Sequence, residues 1–225
     1  MTLIPVQEKV LNENRRLAAE LRRRFTEAGV FVLNLISSPG SGKTSLLERT
    51  LESMSRDTRV AVLTGDIQTE NDARRLARFG FPVQQITTGG TCHLDARMVT
   101  RALEQWRLTD LDVLFIENVG NLVCPSSYDL GEHAKVVLLS VTEGEDKPLK
   151  YPSIFAKAEL CVVNKTDLLP YLRFDLRQAM GNIVAAHPGI QIVETCCNSV
   201  DGVAEWVNWV NTRRDKAFPA LAGAR

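Results

Sequence analysis

The segment Ser37-Ser-Pro-Gly-Ser-Gly-Lys-Thr44 sets two glycines, a lysine and a hydroxyl in close succession. Small residues let consecutive backbone N–H groups turn inward around phosphate oxygens, and a following helix adds the positive end of its dipole. In that arrangement Pro39, Gly40, Ser41, Gly42 and Ser45 line a phosphate cradle, and Lys43 reaches the β- and γ-phosphates. The Thr44 hydroxyl then ligates Mg²⁺. The usual pattern opens on glycine; Ser37 stands there instead, which requires an ordinary backbone conformation at that position. An apolar run from Phe31 to Ile36 before the loop and a helical pattern after Lys43 supply the strand, loop and helix that such a cradle needs.

A second apolar run, ending at Val163, leads into Asn164-Lys165-Thr166-Asp167, which resembles the guanine-reading NKxD element of GTPases. A carboxylate at Asp167 accepts from guanine's N1–H and exocyclic amine together; adenine lacks that donor pair, so GTP or GDP is the expected nucleotide. Asn164 would tie the loop and face the purine, with the stem of Lys165 along the ring. Downstream, Glu194-Thr-Cys-Cys-Asn-Ser-Val-Asp-Gly202 stands where GTPases carry a Ser-Ala loop. Cys197 is the candidate contact there. Between these, Leu114-Phe-Ile-Glu117-Asn-Val-Gly120 reads as a buried strand delivering a carboxylate, a Walker-B-like pattern with Glu for Asp. Glu117 can hold Mg²⁺ directly or through water, and the Gly120 N–H can sense a γ-phosphate. Asp66, in Thr64-Gly-Asp-Ile-Gln-Thr, is a further candidate for the metal or the attacking water, or else a solvated turn aspartate. Lys43, Asp66 and Glu117 are thus the candidate catalytic set for phosphoanhydride hydrolysis, with Thr44, Asp66 and Glu117 about the Mg²⁺.

Cys92-His93 lies after Thr88-Gly-Gly, and Cys124-Pro125 lies after the Glu117 strand. Two thiolates and an imidazole suit Ni²⁺ or Zn²⁺, but structural zinc normally takes four ligands. The open valence fits a transfer site or one shared across a two-fold dimer; two unpaired thiols and a surface histidine remain the plainer reading. Five cysteines, an odd number, argue against a disulfide framework. Cys161, inside Leu160-Cys-Val-Val, reads as a small core residue. Lys147 can reach a nucleotide across a dimer or simply be a solvated loop lysine, the simpler assignment.

These residues must be carried by elements, and the chain offers them. Continuous apolar runs at Phe31 to Ile36, Arg59 to Thr64, Val83 to Thr87, Asp112 to Ile116, Lys135 to Val141, Leu160 to Val163 and Ile190 to Val193 suit strands covered on both faces. Helical patterns separate them: Lys43 to Met54, Asn71 to Phe79, Leu94 to Trp106, Leu172 to Ala186 and Val203 to Asn211. An α/β fold follows, a P-loop NTPase with a mostly parallel central sheet of about seven strands flanked by helices. Its strand C-termini are where ligands bind. Val10, Leu17, Leu21 and Phe25 share one face of a leading amphipathic helix, residues 1–28, ahead of a G domain at 29–225. That helix either packs on its own domain or pairs with another chain. Lys plus Arg and Asp plus Glu both total 27, so no global charge draws the protein to nucleic acid or an anionic membrane. No apolar stretch reads as a signal or a membrane span, which points to a cytoplasmic protein.

Taken together, the phosphate loop, Thr64-Gly-Asp66, Thr91-Cys-His-Leu94, Ile116-Glu-Asn-Val-Gly-Asn-Leu-Val-Cys-Pro125 and Asn164-Lys-Thr-Asp167 resemble the HypB family, nickel-insertion GTPases of nickel-iron hydrogenase maturation. The resemblance covers nearly the whole chain. It implies slow GTP hydrolysis, a GTP-dependent homodimer, and a nickel or zinc site at the dimer interface built from Cys92, His93 and Cys124. The implied partners are a HypA-like nickel chaperone and the hydrogenase large subunit. Many relatives carry an N-terminal cysteine cluster and a histidine-rich stretch; the N-terminal segment here has neither Cys nor His, so metal is expected only at the G-domain site. Two rivals stand beside this reading. One is the urease nickel-insertion GTPase, UreG, whose relatives use a Cys-Pro-His motif; the other is a nucleotide-binding module whose metal only staples a dimer.

Overall fold

A computed structural model describes residues 6–55, 57–68 and 70–219. Seven strands form one parallel sheet in the order β3-β2-β4-β1-β5-β6-β7. They are β1 Phe31–Ser37, β2 Val60–Asp66, β3 Val83–Thr87, β4 Val113–Glu117, β5 Ala134–Ser140, β6 Leu160–Asn164 and β7 Gln191–Thr195. Every residue of β1 and β4 is buried, as continuous apolar runs in a sheet covered on both faces require. The β4 to β5 connection passes from one side of β1 to the other, so the sheet reverses beside the strand that feeds the phosphate loop, where a doubly wound sheet opens its ligand crevice.

The helices are α1 Val6–Ala28, α2 Lys43–Ser53, α3 Asn71–Ala77, α4 Ala96–Ala102, the short α5 Lys147–Lys150 and α6 Pro152–Phe155, then α7 Leu176–Ala186 and α8 Ala204–Ala217. Leu46 and Leu47 of α2 share a core with Phe115 and with Trp206 and Val210 of α8. On the other face Leu21 and Phe25 of α1 and Val99 of α4 pack with Val32, Leu63 and Leu114. Ala179 and Ile183 of α7 close the β5–β6 end. Among the described residues no helix is long and apolar enough to cross a membrane.

The seven strands and the major helices expected from the sequence are present, with ends displaced where local chemistry decides. The expected helix from Leu172 starts at Leu176, because the Asp175 side chain accepts from Gln178 N at 2.9 Å and caps it there. Likewise α4 starts at Ala96 rather than Leu94, with Asp95 accepting from Met98 N at 2.8 Å. Of the two readings of the leading helix, its described part takes the first: Ala18, Leu21 and Phe25 are buried in the core of the same chain, while residues 1–5 lie outside the described residues.

Candidate nucleotide and metal site

The buried strand β1 ends at Ser37, and the chain turns through Gly40 and Gly42, both with positive φ, 74° and 98°, into the N-terminus of α2. Position 42 has a second reason to be glycine: an added Cβ would stand 2.5 Å from Asn164 Nδ2. Ser37 proves to have a task of its own. Its hydroxyl receives the Lys43 ammonium at 2.9 Å and donates to Ser38 O at 2.7 Å, and its φ is not positive. The expected irregularity is therefore a holding point for the lysine.

Lys43 and Glu117 are both buried. Burial pushes the Lys43 ammonium down, opposed chiefly by the nearby Glu117 carboxylate. Burial likewise pushes Glu117 up to about 7, against the pull of Lys43 and a hydrogen bond from Thr44. Thr44 Oγ1 donates to Glu117 Oε1 at 2.7 Å, and the buried Oε2 has no hydrogen-bond partner among the described residues. An orphaned carboxylate oxygen beside a hydroxyl is a fitting donor set for a hard divalent cation such as Mg²⁺. The two meet because β1 and β4 are neighbours, Leu35 facing Glu117. Asp66, at the end of β2, lines the same cavity of about 510 Å³ together with Lys43, Thr44 and Glu117. Its Oδ1 also accepts from Gln68 N at 2.8 Å.

Two charged residues of this cavity escaped the sequence reading. Asp72 and Arg75 of α3 line it, and Asp72 acts electrostatically on both Lys43 and Glu117. Arg75 is held by Glu48 of α2 at 2.6 Å and touches Ser45 Oγ at 3.2 Å. Their three-residue spacing within a helix was the only signal in the sequence.

The Asn164–Asp167 segment reaches the Ser37–Thr44 loop from two strands away. Asn164 Nδ2 donates to Ser41 O at 2.9 Å, tying the loops as expected, and Thr195 Oγ1 and Cys197 Sγ contact its Oδ1 at 3.0 and 3.3 Å. The Cys196-Cys197 loop therefore braces the tetrad; burial pushes the Cys197 thiol up to about 11. Lys165 adopts a left-handed backbone, φ 65°, and donates to Gly40 O at 2.6 Å. A non-glycine residue held there stores a little over 1 kcal/mol of strain, typical of ligand-binding loops. Asp167 Oδ2 accepts from Asn198 Nδ2 at 2.6 Å, an amide of the kind guanine presents. Lys147 is not a solvated loop lysine: it bonds Ser38 Oγ at 3.2 Å and pairs with Glu143 at 3.2 Å.

Cys92, His93 and Cys124 converge, although 30 residues of chain separate them. Their ligand atoms all lie within 4.8 Å of one another, about the span that one ion with bonds of roughly 2.0–2.3 Å bridges. Both cysteines are free thiols, with Cys92 Sγ 3.0 Å from Cys124 Sγ. The His93 ring stacks on Tyr128 at 3.8 Å, and its buried Nδ1 has no hydrogen-bond partner among the described residues. Two thiols and an imidazole gathered so closely are a donor set that suits nickel or zinc. Burial pushes the imidazole's pKa down, which favours the neutral, metal-binding form. The loop after β3 reaches across β2 to do this: Leu94 packs over Gly65, where an added Cβ would come within 2.8 Å of its side chain. Tyr128 is a member of this site that the sequence reading did not single out.

Fold and site together define a nucleotide-binding domain of the P-loop NTPase class, and the CobW/HypB/UreG nucleotide-binding domain family matches residues 31–194. Hydrogenase maturation factor HypB of Azotobacter vinelandii is 51% identical over 224 residues, 99% of this chain and 73% of that protein. HypB of Escherichia coli K12 is 50% identical over 212 residues, 94% and 73% of the two chains. Among solved structures, HypB from Helicobacter pylori in complex with nickel superposes with a TM-score of 0.87 at 38% identity, covering 92% of this chain and 97% of that one. The chain belongs to the HypB family of hydrogenase maturation factors.

Proposed function

We propose that this chain is a GTP-hydrolysing metallochaperone that holds nickel, or zinc, at Cys92, His93 and Cys124 and releases it toward a nickel-iron hydrogenase under control of its nucleotide. The observation that carries this is spatial. Three soft ligand atoms gather within 4.8 Å at the sheet edge that also presents the phosphate loop, and Cys124 follows Gly120 by four residues. A relative of the same family has been solved with nickel bound.

In this reading residues 1–28 form a helix carried by the G domain at 29–225. The loop from Pro39 to Ser45 cradles the phosphates, and Lys43 leaves Ser37 for the β- and γ-phosphates. Thr44 and Glu117, with Asp66, hold Mg²⁺, which would neutralise phosphate charge. Gly120 reads the γ-phosphate. Asn164, Lys165, Asp167 and Cys197 form the guanine pocket, Asp167 exchanging the Asn198 amide for guanine's N–H pair. The protein contributes position and charge rather than covalent chemistry, so turnover is slow, on the order of 10⁻⁴ s⁻¹ without a supplied arginine. Lys147, beside Ser38 of the phosphate loop, would reach the nucleotide of a second copy in such a pair. GTP-dependent pairing of two copies, a HypA-like chaperone as nickel donor, the hydrogenase large subunit as recipient and a cytoplasmic setting complete the proposal.

Equilibrium nickel binding by the purified protein tests it. Binding is expected to weaken at least about ten-fold in Cys92→Ala and in Cys124→Ala, in keeping with loss of a ligand worth more than 1.4 kcal/mol, with GTP affinity retained. Unchanged nickel binding in both variants would remove the site assignment.

A further inference from the structure

The chain between the γ-phosphate position and the cysteines is short, and two asparagines bridge it to the opposite metal loop. Asn118, directly after Glu117, is only 1% exposed. Its Oδ1 accepts from Leu94 N at 3.1 Å and Val119 N at 2.9 Å, and its Nδ2 donates to Asn34 Oδ1 at 3.1 Å in the middle of β1. Asn34 passes the chain on to Glu132 Oε1 at 3.2 Å, and Glu132 is paired with Lys135. The Asn118 backbone N–H donates to Leu35 O at 3.0 Å. Displacing this amide would leave several buried groups unpaired, at about 1–3 kcal/mol each, so it does not move.

Asn121 is its counterpart on the far side of Gly120. It is half-buried; its Nδ2 donates to Cys92 O at 3.2 Å, its Oδ1 accepts from Val123 N at 2.9 Å, and the same side chain reaches Cys124. Gly120, between the two, has no slack toward the phosphate loop: an added Cβ would stand 2.9 Å from Pro39 Cα. A shift at Gly120 must pass along the chain to Asn121.

We propose that Asn118 and Asn121 are positioning residues that together transmit nucleotide state to the metal ligands, Asn118 as the fixed post and Asn121 as the moving arm. The post holds Leu94, and with it His93, which is also stacked on Tyr128. The arm holds the Cys92 carbonyl and moves with Cys124. A displacement at Gly120 therefore shifts both thiols against a stationary imidazole, changing the shape of the ligand set rather than any one ligand. This deepens the nucleotide-linked metal site proposed above and rests on it.

The test is a Ni²⁺ titration of the full chain with Mg²⁺-GDP and with a non-hydrolysable GTP analogue, reading the ratio of the two dissociation constants. Linked sites typically differ about 5–150-fold between states, and the wild type is expected in that range. Asn121→Asp keeps the acceptor for Val123 N–H, and so the local turn, but loses the donor to Cys92. Its added charge repels a γ-phosphate that only one state carries, so the uncharged Asn121→Ser, whose hydroxyl still accepts locally but is too short to reach Cys92, is titrated beside it. In both variants the ratio should fall to within about two-fold, less than 0.5 kcal/mol of coupling, and in Asn121→Ser nucleotide affinity stays unchanged. Asn118→Ser should flatten the ratio as well; hydrogen exchange at Leu94 in metal-free protein reads loss of the post directly, since its N–H loses its acceptor. A wild-type ratio persisting in Asn121→Ser overturns the link while leaving the metal site intact. A ratio of one in the wild type overturns the nucleotide-linked reading and the link with it.

Discussion

Single residues here do two things at once, and Gly65 is the clearest case for experiment. It sits in β2, lines the wall of the cavity beside Asp66, and exists as glycine because Leu94 lies over it. Leu94 adjoins His93 and is fully buried, so Gly65→Ala must push the metal loop outward or strain the core, a change of about 1–3 kcal/mol. The expected outcome is a larger loss of metal affinity than of GTP affinity, read by parallel titrations; equal loss of both would place the defect in the sheet instead. Ser37 makes the complementary point. From the sequence it was an exception to a pattern, whereas in the structure its hydroxyl parks Lys43 in a site too dry to favour a free ammonium. Pattern matching registers only that a residue differs; a distance of 2.9 Å to Nζ gives the reason. Asp72 and Arg75 went unread for the converse reason, since nothing in their local sequence distinguishes a cavity-facing pair from a solvated one.

At the scale of elements, the leading helix is the one whose role the sequence left open. Its apolar stripe fits a partner chain as well as a domain surface. Contact with Val32, Leu63 and Leu114 on one side and with α4 on the other answers this for the described residues. Two polar ties reinforce it: Asn14 donates to Asp129 O and accepts from Ala96 N, both at 2.8 Å, and Arg22 pairs with Asp129 at 2.7 Å. Ala96 starts α4, two residues past Leu94, so α1 also buttresses the metal loop. Phe25→Ala should cost about 3–5 kcal/mol of unfolding free energy in urea, as for other fully buried aromatic residues; a loss under about 1 kcal/mol would mean the helix is carried rather than integrated. The strands were legible because both faces are covered and the apolar runs are continuous. Helix ends were less so, since Asp95 and Asp175 set them by capping and either could equally have been a loop residue.

For the molecule as a whole, stability should depend on pH through a group far from the site. His133 Nδ1 accepts from Val32 N at 3.0 Å, and its ring stacks on Phe31 and meets Phe218 edge-on. Burial, helped by the Arg22 charge, lowers its pKa from 6.5 to about 4. The unfolded chain therefore takes up a proton at mildly acid pH that the folded chain refuses. The contribution of His133 is complete above pH 6.5 and is lost as pH falls toward 4, at no more than about 1.4 kcal/mol per pH unit. Between pH 4.5 and 7 the raised Glu117 carboxyl works in the opposite sense, so the measure is the difference between proteins: urea midpoints should fall less, or rise more, on acidification in His133→Gln than in the wild type, and identical slopes would exclude the histidine as a source. Neither this residue nor the paired asparagines could be anticipated from the sequence, because their meaning lies in which strand stands beside them. By itself the sequence determined the glycine-lysine loop after β1, the Asn164–Asp167 tetrad after β6 and the parallel sheet, and it offered Cys92, His93 and Cys124 as candidate ligands. The first three are written in residues adjacent along the chain or repeated at the period of an element, whereas the last needed a resemblance to single it out. Only the tertiary structure decided that those three side chains share one point, that Lys43 rests on Ser37, and that a buried amide joins the Glu117 strand to the metal loop. These facts depend on the order of strands in the sheet, which brings together segments that local chemistry along the chain cannot pair.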